Sequence, residues 1–309
     1  ARSRGAWSTI RREEIGRAAE RAALMQGQLK SAMGLVGENS VYFLEATGPN
    51  SCALTMKPLD VSDILNKLVF SEPRIRSVVG TSATLRTSGT FDHISYELGA
   101  LTAEELVCES PFDFAAQCVF VVPRGAPNLR QGEFTMPDPK HRDFPDAVAE
   151  RMFDVANVSN GSMLGLFTSY RVLERTYKLF VERGWGDRTI KQGEMPRTES
   201  FWAGIDVPGQ ALSVVVIDRL PFPSPEDPMV DAYEDLHGSK VFKEYSMPRA
   251  IIALRQGFGR LIRSTKDRGA VVLLDRRIVE KGFGKSFLKS LPVKTISTDL
   301  RDVARILAR

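Results

Sequence analysis

The chain has 309 residues, of which 43% are hydrophobic and 26% charged, with a formal net charge of +4. At ~100 to 200 residues per domain, that length allows two domains with full cores and excludes a small scaffold held together by disulfides. No uninterrupted apolar run approaches the ~18 residues that a membrane span requires, and no apolar stretch follows the basic start Ala1-Arg2-Ser3-Arg4, so neither a spanning helix nor a secretory signal is expected. The lack of an initiator methionine points to a fragment or a processed product.

In chain order, residues 1–36 read as a highly charged helix, and Val41 to Leu44 as a short strand. Short apolar runs then recur at residues 77–80, 118–122, 163–167, 212–217 and 270–274. Their length and β-branched content predict buried strands, and their alternation with helical patterns predicts an α/β fold with a parallel sheet flanked by helices. Residues 123–144, rich in proline, glycine and charge, predict a surface loop. Helices are expected over residues 147–158 and 171–183, the second stopped by Gly184 in a left-handed cap. A third is expected over residues 249–263, with Pro248 in its first turn.

Cys52, Cys108 and Cys118 are too widely spaced for a metal pattern and are odd in number, which suits a reducing compartment. His93, His141 and His237 are isolated and receive no chemistry. Positive charge is local: residues 249–289 hold eleven Lys or Arg against three Asp or Glu. Such a region suits the phosphates of a nucleotide or nucleic acid.

On the helix expected over residues 249–263, Gln256, Arg260 and Arg263 fall within an arc of about 60°, opposite Ile251, Leu254, Phe258 and Leu261. Arginine keeps its charge and offers a planar fork of donors, so this edge suits a phosphate whose charge changes during reaction. Gly257 and Gly259 each cost a helix interior ~1 kcal/mol relative to alanine, which suggests close backbone approach. Hydroxyls follow two of the apolar runs, in Thr81-Ser82-Ala83-Thr84 and in Thr168-Ser169-Tyr170. A third run leads into Asp218-Arg219-Leu220-Pro221-Phe222. In open parallel sheets, the residues beyond strand carboxyl ends are the first candidates for ligand contact. The segment Phe201-Trp202-Ala203-Gly204-Ile205-Asp206-Val207-Pro208-Gly209 sets an acid between glycines that let another backbone approach.

Taken in this order, the segments resemble the C-terminal motor half of the DinG and XPD branch of superfamily 2 DNA helicases, over roughly residues 57–285. Thr81 to Leu85 looks like motif III, Phe167 to Tyr170 like motif IV, Ser200 to Gly209 like motif V and Gln256 to Arg263 like motif VI. The resemblance implies RecA-like domains: a remnant of the first motor domain in residues 1–100 and a second domain in residues 101–309. It implies ATP, with Mg2+, bound between two such domains, and 5′ to 3′ movement on single-stranded or forked DNA. Arg260 and Arg263 would be the catalytic arginines, with Gln256, Asp206 and Gly204 at the nucleotide. Thr81, Ser82, Thr84, Thr168, Ser169, Tyr170, Arg219 and Phe222 would contact DNA or couple it to hydrolysis. A cytoplasmic, bacterial-like setting follows, with no membrane partner; the oligomeric state stays open.

The sequence also departs from the family. It contains no G-x-x-x-x-G-K-[ST] loop and no D-E-A-H box, so this chain alone is expected to be inactive. The family's cluster-binding cysteines are absent too, which places any 4Fe–4S cluster outside these residues. Ala203 stands where the family has glutamate, and about a strand plus a helix is missing between Arg197 and Thr198. The rival reading is a non-catalytic nucleic-acid-binding or regulatory module on the same scaffold. A nicotinamide oxidoreductase is weaker, since no strand opens into G-x-G-x-x-G and a helix.

Overall fold

The structure, a computed structural model, describes residues 2–34, 39–48, 50–124, 144–192, 212–293 and 295–308, with side chains from residue 14 onward except those of residues 32 and 47. The chain folds into two compact units. One comprises residues 1–75, 97–99 and 224–241; the other comprises residues 76–96, 100–223 and 242–309.

The first unit contains a long helix, α1 (Arg2–Met33), and an antiparallel hairpin of β1 (Ser40–Gly48) and β2 (Ser51–Pro58). The short helix α2 (Ser62–Leu65) follows. The helical character expected of residues 1–36 and the strand at Val41 to Leu44 are both present. The apolar run at residues 77–80 is not a strand, however. No described strand bonds to it, and Val78 and Val79 lie 51% and 84% exposed. A strand without a ladder partner leaves its backbone groups to water, so an apolar, β-branched run by itself is not enough.

The chain continues through α3 (Asp92–Leu98) and the single turn α4 (Phe114–Gln117) into β3 (Cys118–Val121). Then come α5 (Phe144–Val158), β4 (Met163–Leu166), α6 (Tyr170–Glu182) and β5 (Val214–Ile217). Helix α7 (Pro228–His237) belongs to the first unit, where the Tyr233 hydroxyl donates to the Leu59 carbonyl. Helix α8 (Met247–Phe258) leads to β6 (Gly269–Leu273). The end of the chain supplies α9 (Arg277–Glu280), α10 (Gly284–Ser290), β7 (Ile296–Ser297) and α11 (Arg301–Leu307).

The five strands β3 to β7 form one wholly parallel sheet in the order β4-β5-β6-β3-β7, as the α/β reading required. Alternation along each strand assigns its side chains to two helix layers. Val215, Ile217, Val271, Leu273 and Phe120 pack with Ile251, Leu254 and Phe258 of α8 and Phe287 of α10. Val214, Val216, Val272 and Val121 pack with Val148, Met152 and Val155 of α5, Phe180 of α6 and Val303 of α11. A sheet covered on both faces explains why β5 and β6 are fully buried and read as unbroken apolar runs.

Helix α6 ends as expected. Gly184 has φ of +77°, its N–H donates to the Val181 carbonyl, and the Trp185 N–H donates to the Phe180 carbonyl, which is the paired bonding of a Schellman cap. Helix α8 begins at its proline turn but stops earlier than the expected residue 263. Gly259 takes the C-cap position, its N–H donating to the Arg255 carbonyl at 2.8 Å. Leu261 and Ile262 then bury themselves, 3% and 4% exposed, and lead the chain toward β6. A Cβ on Gly259 would meet only ordinary contact, 3.4 Å from the Arg255 carbonyl oxygen, so the close backbone approach expected of this glycine is not found.

Candidate functional site at the two edges of the sheet

Because α8 connects the parallel strands β5 and β6, it must return from the carboxyl edge of the sheet to the amino edge. Its last turn and the loop before Gly269 therefore belong to the amino edge. Arg260 follows the helix on a turn closed by its own N–H to the Gly257 carbonyl, 3.3 Å, and Arg263 lies beyond that turn. The helical arc expected for Gln256, Arg260 and Arg263 is thus replaced by a helix end followed by a loop. Gln256 and Arg263 are exposed and Arg260 is half-buried.

The loop is held by two residues that the spacing argument passed over. Asp267 accepts from the N–H of Arg263 at 2.8 Å and of Ser264 at 2.7 Å, and from the Ser264 hydroxyl at 2.9 Å. Burial pushes the Asp267 carboxyl up, but these bonds and the nearby Arg263 charge outweigh it and hold the group below its ordinary value. Gln117, only 4% exposed, donates through Nε2 to the carbonyls of Ser264 and Asp267, both at 2.9 Å. The Arg263 Nε also bonds the Arg260 carbonyl at 3.4 Å, which keeps the two arginines on one short loop.

Arg255, on the last turn of α8, reaches the segment that resembles motif III. Its guanidinium donates to the carbonyls of Ala83 and Arg86. Thr81, Ser82 and Thr84 therefore belong to a segment tied beside Gln256 and Arg260, within the second unit. Ser82 and Thr84 share a hydroxyl hydrogen bond of 3.1 Å. The signal for Arg255 was present, an arginine one residue before Gln256, but only the fold reveals its carbonyl partners.

The carboxyl edge carries the second group. Asp218, fully buried, accepts from the Thr168 N–H at 3.0 Å, the Thr168 hydroxyl at 3.2 Å and the Arg219 N–H at 2.8 Å. Burial pushes its carboxyl up to about 6, against the pull of the Arg219 charge and the hydrogen bonds from Thr168 and Arg219. The Arg219 Nε also donates to the Thr168 hydroxyl, so β4 and β5 deliver one bonded triad of Thr168, Asp218 and Arg219. Ser169 occupies the N-cap of α6, yet its hydroxyl makes no cap hydrogen bond, and Tyr170 beside it is 71% exposed.

A second buried acid completes this edge. Asp275, after β6, accepts from the Leu220 N–H at 2.9 Å and pairs with Arg277 at 2.6 Å. It fixes the turn carrying Phe222, whose half-buried ring packs against Phe242, Phe283 and Phe287 with centroids 5.5 to 5.7 Å apart. Gly204 and Asp206, with the rest of the motif V segment, lie outside the described residues, as does the junction of Arg197 and Thr198. The sequence-expected residues that are described therefore fall into two groups on opposite edges of one sheet.

Among the described residues no group of three or more His, Cys, Asp or Glu could hold a metal. Cys52 and Cys108 are exposed, and burial pushes the Cys118 thiol up to about 12, so these cysteines do not fit an iron–sulfur cluster. No helix among the described residues is long and apolar enough to cross a membrane.

Residues 195–294 match the family described as a helicase C-terminal domain. Over 310 residues the chain is 34% identical to the ATP-dependent DNA helicase YoaA of Haemophilus influenzae, covering 93% of this chain and 46% of that protein. The ATP-dependent helicase DinG of Mycobacterium tuberculosis is 32% identical over 286 residues, covering 83% of this chain and 40% of that protein. A solved XPD helicase structure covers 79% of this chain and 46% of that one, at 15% identity and a TM-score of 0.48. The chain spans about half the length of the curated relatives it matches.

Proposed function

We propose that this chain, which corresponds in sequence to the C-terminal half of DinG- and XPD-like superfamily 2 helicases, works as the part of an ATP-dependent 5′ to 3′ DNA helicase that completes the ATP site and carries one side of the DNA track. Residues 1–100 then derive from the first motor domain and residues 101–309 form the second. What supports this reading is the separation of the candidate residues onto opposite sheet edges. A motor needs a nucleotide site and a track that do not compete for the same groups.

At the amino edge, Gln256, Arg260 and Arg263 act on ATP, and Asp206 and Gly204 are assigned to the same nucleotide. Arginines of this kind stabilise the charge that develops on a transferred phosphoryl group and are worth ~10³ to 10⁵ in rate. ATP with its magnesium supplies the reacting phosphate, held chiefly by a partner motor domain with a phosphate-cradling loop. Arg255 links this edge to Thr81, Ser82 and Thr84, which gives hydrolysis a mechanical path to the rest of the second unit.

At the carboxyl edge, Thr168, Ser169 and Arg219 face the phosphates of single-stranded or forked DNA, and Tyr170 stacks a base. Phe222, packed among three other phenylalanines, supports the turn more than it offers a free ring. The protein works in a reducing, cytoplasmic setting. In a complete protein carrying both motor domains, Arg260→Ala or Arg263→Ala abolishes DNA-stimulated ATP hydrolysis and leaves single-strand binding largely intact. Undiminished turnover in either variant removes the arginine assignment.

A further inference from the structure

Beyond β5, Asp218 is 0% exposed, so its carboxylate does not itself meet a phosphate. Its two oxygens are divided between neighbours that lie nearer the surface. Oδ1 accepts from the backbone N–H groups of Thr168 at 3.0 Å and Arg219 at 2.8 Å. Oδ2 accepts from the Thr168 hydroxyl at 3.2 Å and lies 3.8 Å from Arg219 Nε, which itself donates to the Thr168 oxygen. Thr168 and Arg219 are both half-buried, so the acid acts on its surroundings through one hydroxyl and one guanidinium.

A threonine hydroxyl has one proton to give and two lone pairs, and an ionised carboxylate only accepts. Arg219 Nε–H occupies one lone pair of Thr168, and ionised Asp218 takes its proton. The hydroxyl then has nothing left to donate outward. A proton on Asp218 must rest on Oδ2, because Oδ1 faces two N–H donors. From there it donates to the second lone pair of Thr168, and the threonine proton turns outward. The same step removes the negative partner of Arg219, so both changes favour an anion at this edge. Among the described residues Arg219 is the charged group that acts on Asp218. Thr168 and Ser169, between β4 and α6, are neutral; from α5, Phe144 lies over the Arg219 guanidinium at 6.0 Å. Asp275, beyond β6, is turned to the Leu220 N–H and to Arg277. Burial therefore outweighs the Arg219 charge and raises the carboxyl to about 6, where both forms are reached in ordinary buffers.

We propose that Asp218 is a positioning residue of the DNA edge, whose bond to Thr168 decides whether that hydroxyl donates inward or to a phosphate of single-stranded DNA. This role rests on the DNA track proposed above and adds the group that controls it. Ionised Asp218 withholds the hydroxyl; neutral Asp218 releases it.

The test measures binding of a labelled oligothymidylate to the full chain at one ionic strength, on either side of the raised value, at about pH 5 and about pH 7.5. Asp218→Asn keeps a carbonyl toward the two N–H groups and turns an amide N–H to Thr168, so it holds the outward-donating arrangement at both. The two proteins are expected to bind alike at the lower pH. At the higher pH, Asp218→Asn binds about tenfold more tightly than wild type, the worth of one charge-assisted hydrogen bond. Other titrating groups act alike in both and cancel in the comparison. Thr168→Val has no hydroxyl to turn, so its own pH step is smaller than that of wild type. An equal pH step in wild type and Asp218→Asn, weaker binding by Asp218→Asn at both pH values, or a full step in Thr168→Val overturns the role of Asp218 and leaves the DNA track standing. If wild type binds no oligothymidylate at either pH, the DNA track itself fails and this role with it.

Discussion

Asp218 shows what burial does to one residue at the carboxyl edge. Its carboxyl is raised from 3.8 to about 6, so the folded chain holds a proton that the unfolded chain releases. Stability from this group is complete below the unfolded value and is lost as pH rises through about 6. Between those two values, wild type therefore loses stability relative to Asp218→Asn as pH rises, and urea unfolding at both ends of the window measures the difference. Parallel behaviour of the two proteins would contradict the assignment. Arg255 makes a second residue-scale case. A lysine keeps its charge but cannot span the carbonyls of Ala83 and Arg86 as a guanidinium does. Arg255→Lys is expected to destabilise by about 1 to 3 kcal/mol, since one of these carbonyls loses its donor. Neither role was legible in the sequence, where Asp218 and Arg255 are ordinary charged residues beside more conspicuous ones.

At the scale of elements, local patterns decided where structure begins and ends, provided that a partner was near. Helix α6 and its glycine cap could be read directly from residues 171–184, because the left-handed conformation of Gly184 is a local demand. Nothing lies within 4 Å of a Cβ at this position, so Gly184→Ala costs only the conformational term, about 1 kcal/mol, measurable by denaturant midpoint. Gly269 is different. A Cβ there would lie 2.2 Å from the Ser213 carbonyl oxygen, at the start of β6, so Gly269→Ala must displace backbone and costs more than Gly184→Ala in the same assay. The apolar run at residues 77–80 has strand composition and no ladder. The arginine helix was read five residues too long because the periodicity of Leu261 and Ile262 continues past Phe258, although those side chains bury beyond the helix end.

For the whole molecule, burial is distributed unevenly. Among the described residues the buried apolar core lies in the second unit, apart from Val230 and Val241. Among the described side chains the hairpin strands β1 and β2 hold no fully buried residue, while β5 and β6 are buried throughout. Local opening is easiest where few apolar contacts resist it. Amides of β1 and β2 are therefore expected to exchange with solvent well before those of β5 and β6, and equal protection of the two sets by mass-resolved hydrogen exchange would contradict this.

The sequence by itself determined the α/β class, the strands at residues 118–121, 163–166, 214–217 and 269–273, and the ordered motifs whose resemblance to DinG-like helicases the comparisons bear out. These are properties of short windows: an unbroken apolar run, a cap glycine, a hydroxyl after a strand. Only the tertiary structure decided that Arg260 and Arg263 leave their helix, that Gln117 and Asp267 hold their loop, and that the Thr168, Asp218 and Arg219 triad sits at the other edge. Strand order and the direction of a crossover helix set which chain ends share an edge. Both depend on contacts between residues far apart in sequence, and no local window carries that information.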